Sequence, residues 1–264
     1  MRLAARVAGV GLVGPGWAKW SDARETLAGR SPYAPSPTVL PAPDALPATE
    51  RRRAGKCVRL ALAVGLEAAA DAGLAAGDVA AVFASSSGDG ENCHAICETL
   101  ASDDRMISPT RFHNAVHNAP SGYWSIATGA TASADCLAAF DGSFGAGLVE
   151  ALARLAAEPG RPTVLIAYDA PYPQPLHGAR PIADAFGVAL ALRALEDGAQ
   201  GPAIEVEFTH EPAAHLTDAV LERLRASIPA ARALPLLQSF ARGTRGPVVL
   251  DYLDDLALRV EVRP

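Results

Sequence analysis

Residues 114–169 read NAVHNAPSGYWSIATGATASADCLAAFDGSFGAGLVEALARLAAEPGRPTVLIAYD, and this stretch decides the fold. Its pattern predicts a helix, a short buried strand from Ala134 to Ala139, and a sharp turn at Asp141-Gly142. A long helix from Ser143 to Ala157 and a second buried strand from Thr163 to Tyr168 follow. A strand that runs through a tight turn into a helix exposes one side chain beside the helix's free N–H groups, a common way to build a reactive site. Here that side chain is Asp141. A nucleophilic serine on such an elbow needs G-x-S-x-G, which FDGSFG at 140–145 does not match. Local physics describes Asp141 as an N-cap, its carboxylate accepting from the first free N–H groups of the Ser143–Ala157 helix.

Upstream, residues 5–13 (ARVAGVGLV) read as a buried strand ended by Gly14-Pro15-Gly16, with a short helix around Trp20 to Ala28. Residues 31–49 hold six prolines and form an irregular surface excursion. Glu50 to Ala72 has helical spacing (Val58, Leu62, Leu66, Ala69) and stops at Gly73, with Arg51-Arg52-Arg53 as its solvated start. Val79 to Ala84 is a buried strand, and Ser85-Ser86-Ser87-Gly88-Asp89-Gly90 is a turn in which a serine or aspartate caps a helix from about Glu91 to Ala101. That turn lacks the lysine and spacing of a phosphate-binding loop. A further helix enters near Thr110 and sets His113 and His117 four apart, as a polar wall on one face.

Downstream, Pro171 to Pro175 makes a rigid loop, and Ala183 to Ala194 and Ala203 to Phe208 read as extended. The tail carries helices near Leu216 to Ser227 and Ala230 to Arg242, then a strand pair near Val248 to Leu250 and Leu256 to Val262. Strands alternating with helices imply an α/β fold with helices on both faces of a mixed sheet.

Composition narrows the function. Half of the 264 residues are hydrophobic and 20% are charged, as in a globular domain with a sizeable core. A net charge of −6 with no long basic run argues against nucleic acid or an anionic membrane as partner. No run of about 20 apolar residues is long enough to span a bilayer. The opening MRLAARVAGVGLVGPGW superficially resembles a secretion signal but lacks a clean cleavage site, and it fits a core strand better. Four cysteines (Cys57, Cys93, Cys97, Cys136) show no disulfide framework, so a reduced, cytoplasmic setting is expected. Cys93-His94-x-x-Cys97 is a single ligand pair where a zinc site usually needs two, so no metal and no cofactor are expected.

The ordered set of segments resembles the N-terminal half of the β-ketoacyl synthases of the thiolase fold, from about Leu3 to Phe208. VAGVGLVGP and RETLAGRSPY are similar to the family's opening strand and helix, AVGLEAAADAGL to its helix ending in D-A-G, and FASSSGDG to its serine- and glycine-rich turn. ISPTRFHNAVHNAPSGYWSIATG is similar to the helix leading to the nucleophile strand, and RPIADAFGVALALRALEDG to the segment that ends the half. The resemblance implies residues 1–208 as the ketosynthase-like unit and 209–264 as an extension packed on it. It also exposes departures. The family places a cysteine at the turn; here Asp141 stands there after Ala138-Ala139-Phe140, and Cys136 lies five residues upstream. The family's two catalytic histidines have no counterpart, since His210 and His215 lack the family's settings.

More narrowly, HNAVHNAPSGYWSIATG, FDGSFGAGLVEAL and VLIAYDAP are similar to the short ketosynthase-like chain-length factors of aryl polyene clusters. The resemblance implies a catalytically silent subunit, with no catalytic residue at the degenerate Asp141 position. Such a subunit would pair with a full-length ketosynthase, with a homodimer left open, and acyl carrier protein is the other expected partner. Phe112, His113, Val116, His117, Tyr123, Trp124, Cys136 and Phe140 are the expected tunnel or interface residues. Two other readings stay open here: a stand-alone carrier-protein thioester decarboxylase or hydrolase using Asp141, Ser143 or the histidine wall, and a homodimeric scaffold. Arg51, Arg52, Arg53 and Arg111 are available to dock an acidic carrier protein.

Overall fold

The computed structural model describes residues 2–195 and 201–263. In chain order the elements are β1 (Leu3–Val13), α1 (Trp20–Leu27), α2 (Ala48–Arg51), α3 (Lys56–Asp71), β2 (Ala80–Ala84), α4 (Gly90–Ala101), α5 (Pro109–His113) and α6 (Ala119–Thr128). Then come β3 (Ala134–Leu137), α7 (Ser143–Ala157), β4 (Thr163–Asp169), α8 (Leu176–Ala179), β5 (Phe186–Arg193) and β6 (Ala203–Thr209). The chain ends with α9 (Ala219–Ser227), α10 (Leu234–Arg242), β7 (Gly246–Leu253) and β8 (Leu256–Arg263). Short 3-10 turns at Phe140–Gly142 and Pro229–Ala233 precede α7 and α10.

One mixed sheet runs in the order β3-β2-β4-β5-β1-β6-β8-β7. β3 and β4 flank β2 and run parallel to it, while the remaining pairings are antiparallel. β8 pairs with β6, so the sheet continues without a break from residues 1–208 into the C-terminal residues.

Alternation along the strands sends side chains to two cores, one on each face. In β4, Leu165 and Ala167 join α7 and α10 on one face, while Val164, Ile166 and Tyr168 join α3 and α6 on the other. The glycines of VAGVGLV explain how α3 gets so close. A Cβ on Gly9 would lie 2.4 Å from the Ala68 carbonyl oxygen, and one on Gly11 would lie 2.0 Å from that of Val64. Mixed sheet and two-sided helix cover agree with the α/β expectation.

Three local expectations need correction. The strand at 134–139 ends at Leu137 and is not buried: it is the sheet's edge, with its residues exposed or half-buried. The helix expected from Glu50 splits into α2 and α3, because Gly55 caps a fresh start at Lys56. The helix expected from Thr110 splits likewise. Pro120 opens α6, and Asn114 is held in the gap by donating to the Arg53 carbonyl (3.0 Å) and accepting from the Tyr123 hydroxyl (3.2 Å).

Candidate functional site

The carboxyl ends of the parallel strands are where open α/β sheets hold their ligands. Here β2 leads into Ser85-Ser86-Ser87, β3 into Phe140-Asp141, and β4 into Asp169 and the 171–175 loop. Asp89 caps α4 by accepting from the Asn92 N–H (3.0 Å), as the turn chemistry predicts.

At the elbow the backbone is strained at Phe140, whose φ is +51°, among the described residues the only non-glycine with positive φ. For a bulky residue this costs about 1–3 kcal/mol. The Ser143 hydroxyl holds the turn, donating to the Phe140 carbonyl (2.7 Å) and accepting from the Ala139 N–H (3.0 Å). With both roles used and the residue buried, Ser143 has no free hydroxyl to act as nucleophile.

Asp141 does not cap α7, which starts from Gly142 with no side-chain cap. Its two oxygens instead take one arginine each: Arg180 on Oδ1 (2.9 Å) and Arg232 on Oδ2 (3.0 Å). Two guanidinium partners outcompete a few weakly polar N–H groups for a carboxylate. Arg180 also stacks on Phe140, its guanidinium carbon 3.4 Å from the ring centroid. Arg232 goes on to Asp251 (2.7 Å), Asp251 to Arg225 (2.7 Å), Arg225 to Glu222 (2.8 Å) and Glu222 to His215 (2.7 Å). The Arg225 guanidinium, first by its hydrogen bonds, pulls the Glu222 carboxyl down to about 2.

Asp169 behaves differently. Buried at the end of β4, it accepts from the Ser86 N–H (2.9 Å) and hydroxyl (2.6 Å) on one oxygen and from the Ala230 N–H (2.9 Å) on the other. Burial pushes its carboxyl up to about 6. The Tyr172 and Ser87 hydroxyls are hydrogen-bonded across the same end of the sheet.

The C-terminal residues close over this elbow. A Cβ on Gly142 would fall 1.6 Å from the Tyr252 carbonyl oxygen, and one on Gly145 would fall 2.5 Å from that of Asp251. A cleft of about 750 Å³ remains between Phe140-Asp141 and the hairpin residues Tyr252, Leu253 and Leu256.

The other expected site residues divide. Phe112 (71% exposed) and Val116 (53%) point to solvent, and Phe140 is 63% exposed. His113 and His117 make no common wall, because the helix ends between them. His113 is exposed, with its ring edge-on to Tyr123, and His117 lies 3.4 Å from the Ser85 carbonyl oxygen. Tyr123 and Trp124 are buried in the chain's own core and offer a partner no surface. Cys136 is half-buried in β3, and burial pushes its thiol up, away from the thiolate a nucleophile needs. All four cysteines are free. Among the described residues no three His, Cys, Asp or Glu side chains gather as metal ligands, and no helix is long and apolar enough to cross a membrane.

Arg52, Arg53, Lys56, Arg59 and Arg111 surround a second cleft of about 420 Å³. Arg51 instead turns to Asp44 (3.1 Å). The sequence reading missed Arg180, Arg232 and Asp169. The arginines lie 39 and 91 residues from Asp141, so no local pattern couples them.

A model of the β-ketoacyl synthase N-terminal domain matches residues 17–245, and the chain belongs to that family. No curated protein matches it. Among solved structures it is similar to a chain of the ketosynthase ApeO in complex with its chain length factor ApeC from Xenorhabdus doucetiae, at 22% identity and TM-score 0.73, covering 98% of this chain and 99% of that one. A chain of the ishigamide ketosynthase/chain length factor matches at 15% identity and TM-score 0.71, with 99% of each chain covered. The ketosynthase from module 1 of the bacillaene synthase of Bacillus amyloliquefaciens matches at 11% identity and TM-score 0.59, but 81% of this chain covers only 47% of that one. These likenesses establish the thiolase-like ketosynthase fold.

Proposed function

We propose that this chain is a catalytically silent chain-length-factor subunit. It pairs with a full-length β-ketoacyl synthase and helps shape the acyl tunnel in aryl polyene or fatty-acid-like polyketide biosynthesis. The observation that carries the reading is the elbow. Where covalent acyl transfer needs an activated nucleophile, this chain has a phenyl ring, a carboxylate engaged by two arginines and a serine whose hydroxyl is used within the turn. Coverage supports it too: the chain spans whole chains of two ketosynthase–chain length factor structures but under half of a module ketosynthase.

The partner surface is the outer edge of β3 with exposed apolar side chains from the segment before it. An open edge strand presents unpaired N–H and C=O groups and needs cover. Phe112, Val116 and Ile126 supply apolar area on that segment. The cleft around Arg53 and Arg111 sets five cationic side chains against Asp89 and Glu91, an excess of positive charge that suits an acidic acyl carrier protein on a chain that is negative overall.

The test is co-purification with a full-length ketosynthase from the same genome, read by size-exclusion chromatography with light scattering. A one-to-one complex is expected. A homodimer that ignores the ketosynthase, or turnover of an acyl thioester by this chain alone, would overturn the reading.

A further inference from the structure

A strand at the end of a sheet offers its backbone N–H and C=O groups to whatever strand comes next. This sheet has two ends, and the chain treats them differently. At β7 the outward side is closed: Pro247 has no N–H to offer there, and the Ala214 N–H donates to the Val249 carbonyl (2.8 Å). At β3 no strand but β2 is paired among the described residues. The Ser133 and Leu137 carbonyls accept from the Ala81 and Ser85 N–H groups on the β2 side. Alternation then turns the N–H and C=O groups of Ala134 and Cys136 outward. Between them stands an ion pair. Asp135 is bound by the guanidinium of Arg154, which reaches it from α7 and also donates to the Ser133 hydroxyl. The Asp135 side chain is 39% exposed and that of Arg154 17%.

A second copy of the chain would add to this edge about a two-fold axis, antiparallel. Residues directly opposite one another lie on the same face of a sheet, and the axis keeps each residue on its own face. Opposite residues must then differ by an even number, so the axis passes beside a residue and sets it against its own copy. Only one such register keeps both outward residues paired within β3, and it centres on Asp135. The carboxylate there meets its copy at a non-hydrogen-bonded position, where Cα atoms lie about 4.5 Å apart and like charges repel. Centring on Cys136 instead presses each Asp135 and its arginine against Leu137 of the second copy. Either seam dries two ion pairs at once, and the water lost from a buried pair is poorly repaid by its attraction.

We propose that the Asp135–Arg154 pair reserves the β3 edge for a strand that is not its copy. It bars self-pairing and fits an antiparallel strand of a non-identical chain that sets a small hydrogen-bond donor, such as a hydroxyl, opposite Asp135. A non-identical strand brings no second ion pair, so one pair enters the seam and the donor meets the exposed side of the carboxylate. The identity of that chain, the ketosynthase, rests on the silent-subunit reading.

The experiment follows the whole chain by sedimentation velocity at increasing concentration, with hydrogen exchange read at the Ala134 and Cys136 amides. The unaltered chain should stay monomeric, with both amides exchanging freely. Asp135→Val combined with Arg154→Met makes the edge apolar and should self-associate with both amides protected. Its dimer dissociation constant should fall at least about tenfold, as the exchange of a buried ion pair for apolar groups supports. Asp135→Asn combined with Arg154→Gln keeps hydrogen-bonding groups and drops both charges. It should dimerise more weakly, and it decides the matter if the first variant fails to fold. Mixed with the ketosynthase, the unaltered chain should protect the same two amides.

An unaltered chain that dimerises with these amides protected overturns the inference. So does a folded charge-free variant that stays monomeric. A ketosynthase complex that leaves both amides exchanging freely overturns the assignment of the edge and leaves the silent-subunit reading standing. No ketosynthase complex at all overturns that reading, and with it the occupant named here.

Discussion

Asp141 and Asp169 stand at the same end of the two strands that flank β2, and both reach into the same 3-10 turn, Pro229–Ala233. Asp141 meets it through the Arg232 side chain and Asp169 through the Ala230 N–H. There the likeness stops. Asp141 is 39% exposed and surrounded by guanidinium groups; Asp169 is buried and bonded only to neutral donors. A carboxylate among cations at the surface makes an exchangeable, salt-screened fastening. A carboxylate in the interior with no cation bonded to it is a costly charge retained because the donors of Ser85, Ser86 and Ala230 depend on it. So the same residue type, placed alike by the sheet, becomes an anchor for a ring in one case and a structural pin in the other.

The comparison breaks most severely at Asp169. Asp169→Ala strands the Ser86 N–H, the Ser86 hydroxyl and the Ala230 N–H, and should cost about 4 kcal/mol in urea unfolding. Next is the packing that joins both aspartates to the C-terminal residues. Gly142→Ala drives a Cβ into the Tyr252 carbonyl and should cost about 3 kcal/mol, with faster hydrogen exchange along β7; an unchanged stability would mean that the hairpin does not rest on the elbow.

The pH dependence sharpens the contrast. Burial raises the Asp169 carboxyl from 3.8 to about 6, so between those values the folded chain keeps a proton that the unfolded chain has lost. Its contribution to stability is therefore best below pH 4 and declines by on the order of 3 kcal/mol as pH rises through 6. Asp169→Asn should flatten that decline in the urea midpoint. Glu222 acts with the opposite sign: its carboxyl is lowered from 4.5 to about 2, so its contribution is present above pH 4.5 and lost as pH falls towards 2. The smallest effect is at Asp141. Asp141→Asn should cost about 1 kcal/mol, and the difference from the unaltered chain should shrink in high salt, whereas that of Asp169→Ala should not.

Much of the sheet was legible. VLIAY and FGVALAL are continuous apolar runs of the kind that strands covered on both faces require, and they became β4 and β5. The glycines of VAGVGLV were visible, but that they seat α3 was not, because the backbone they admit lies over 50 residues away. Pro120 was a local sign that the helix after Thr110 must restart, and it outweighs the spacing of His113 and His117. At the elbow, Asp followed by Gly-Ser and an apolar helix has the local signature of an N-cap, and local rules have no access to Arg180 or Arg232.

By itself, then, the sequence determined the alternation of strands and helices, the two-sided cores and the lack of a cysteine at the turn after β3, because periodicity and residue identity are local properties of the chain. Only the tertiary structure decided what Asp141 does, which aromatics are core and which are surface, and where the strain falls. Those depend on which distant groups the fold brings within a few ångströms, and hydrogen bonds and ion pairs have no reach beyond that.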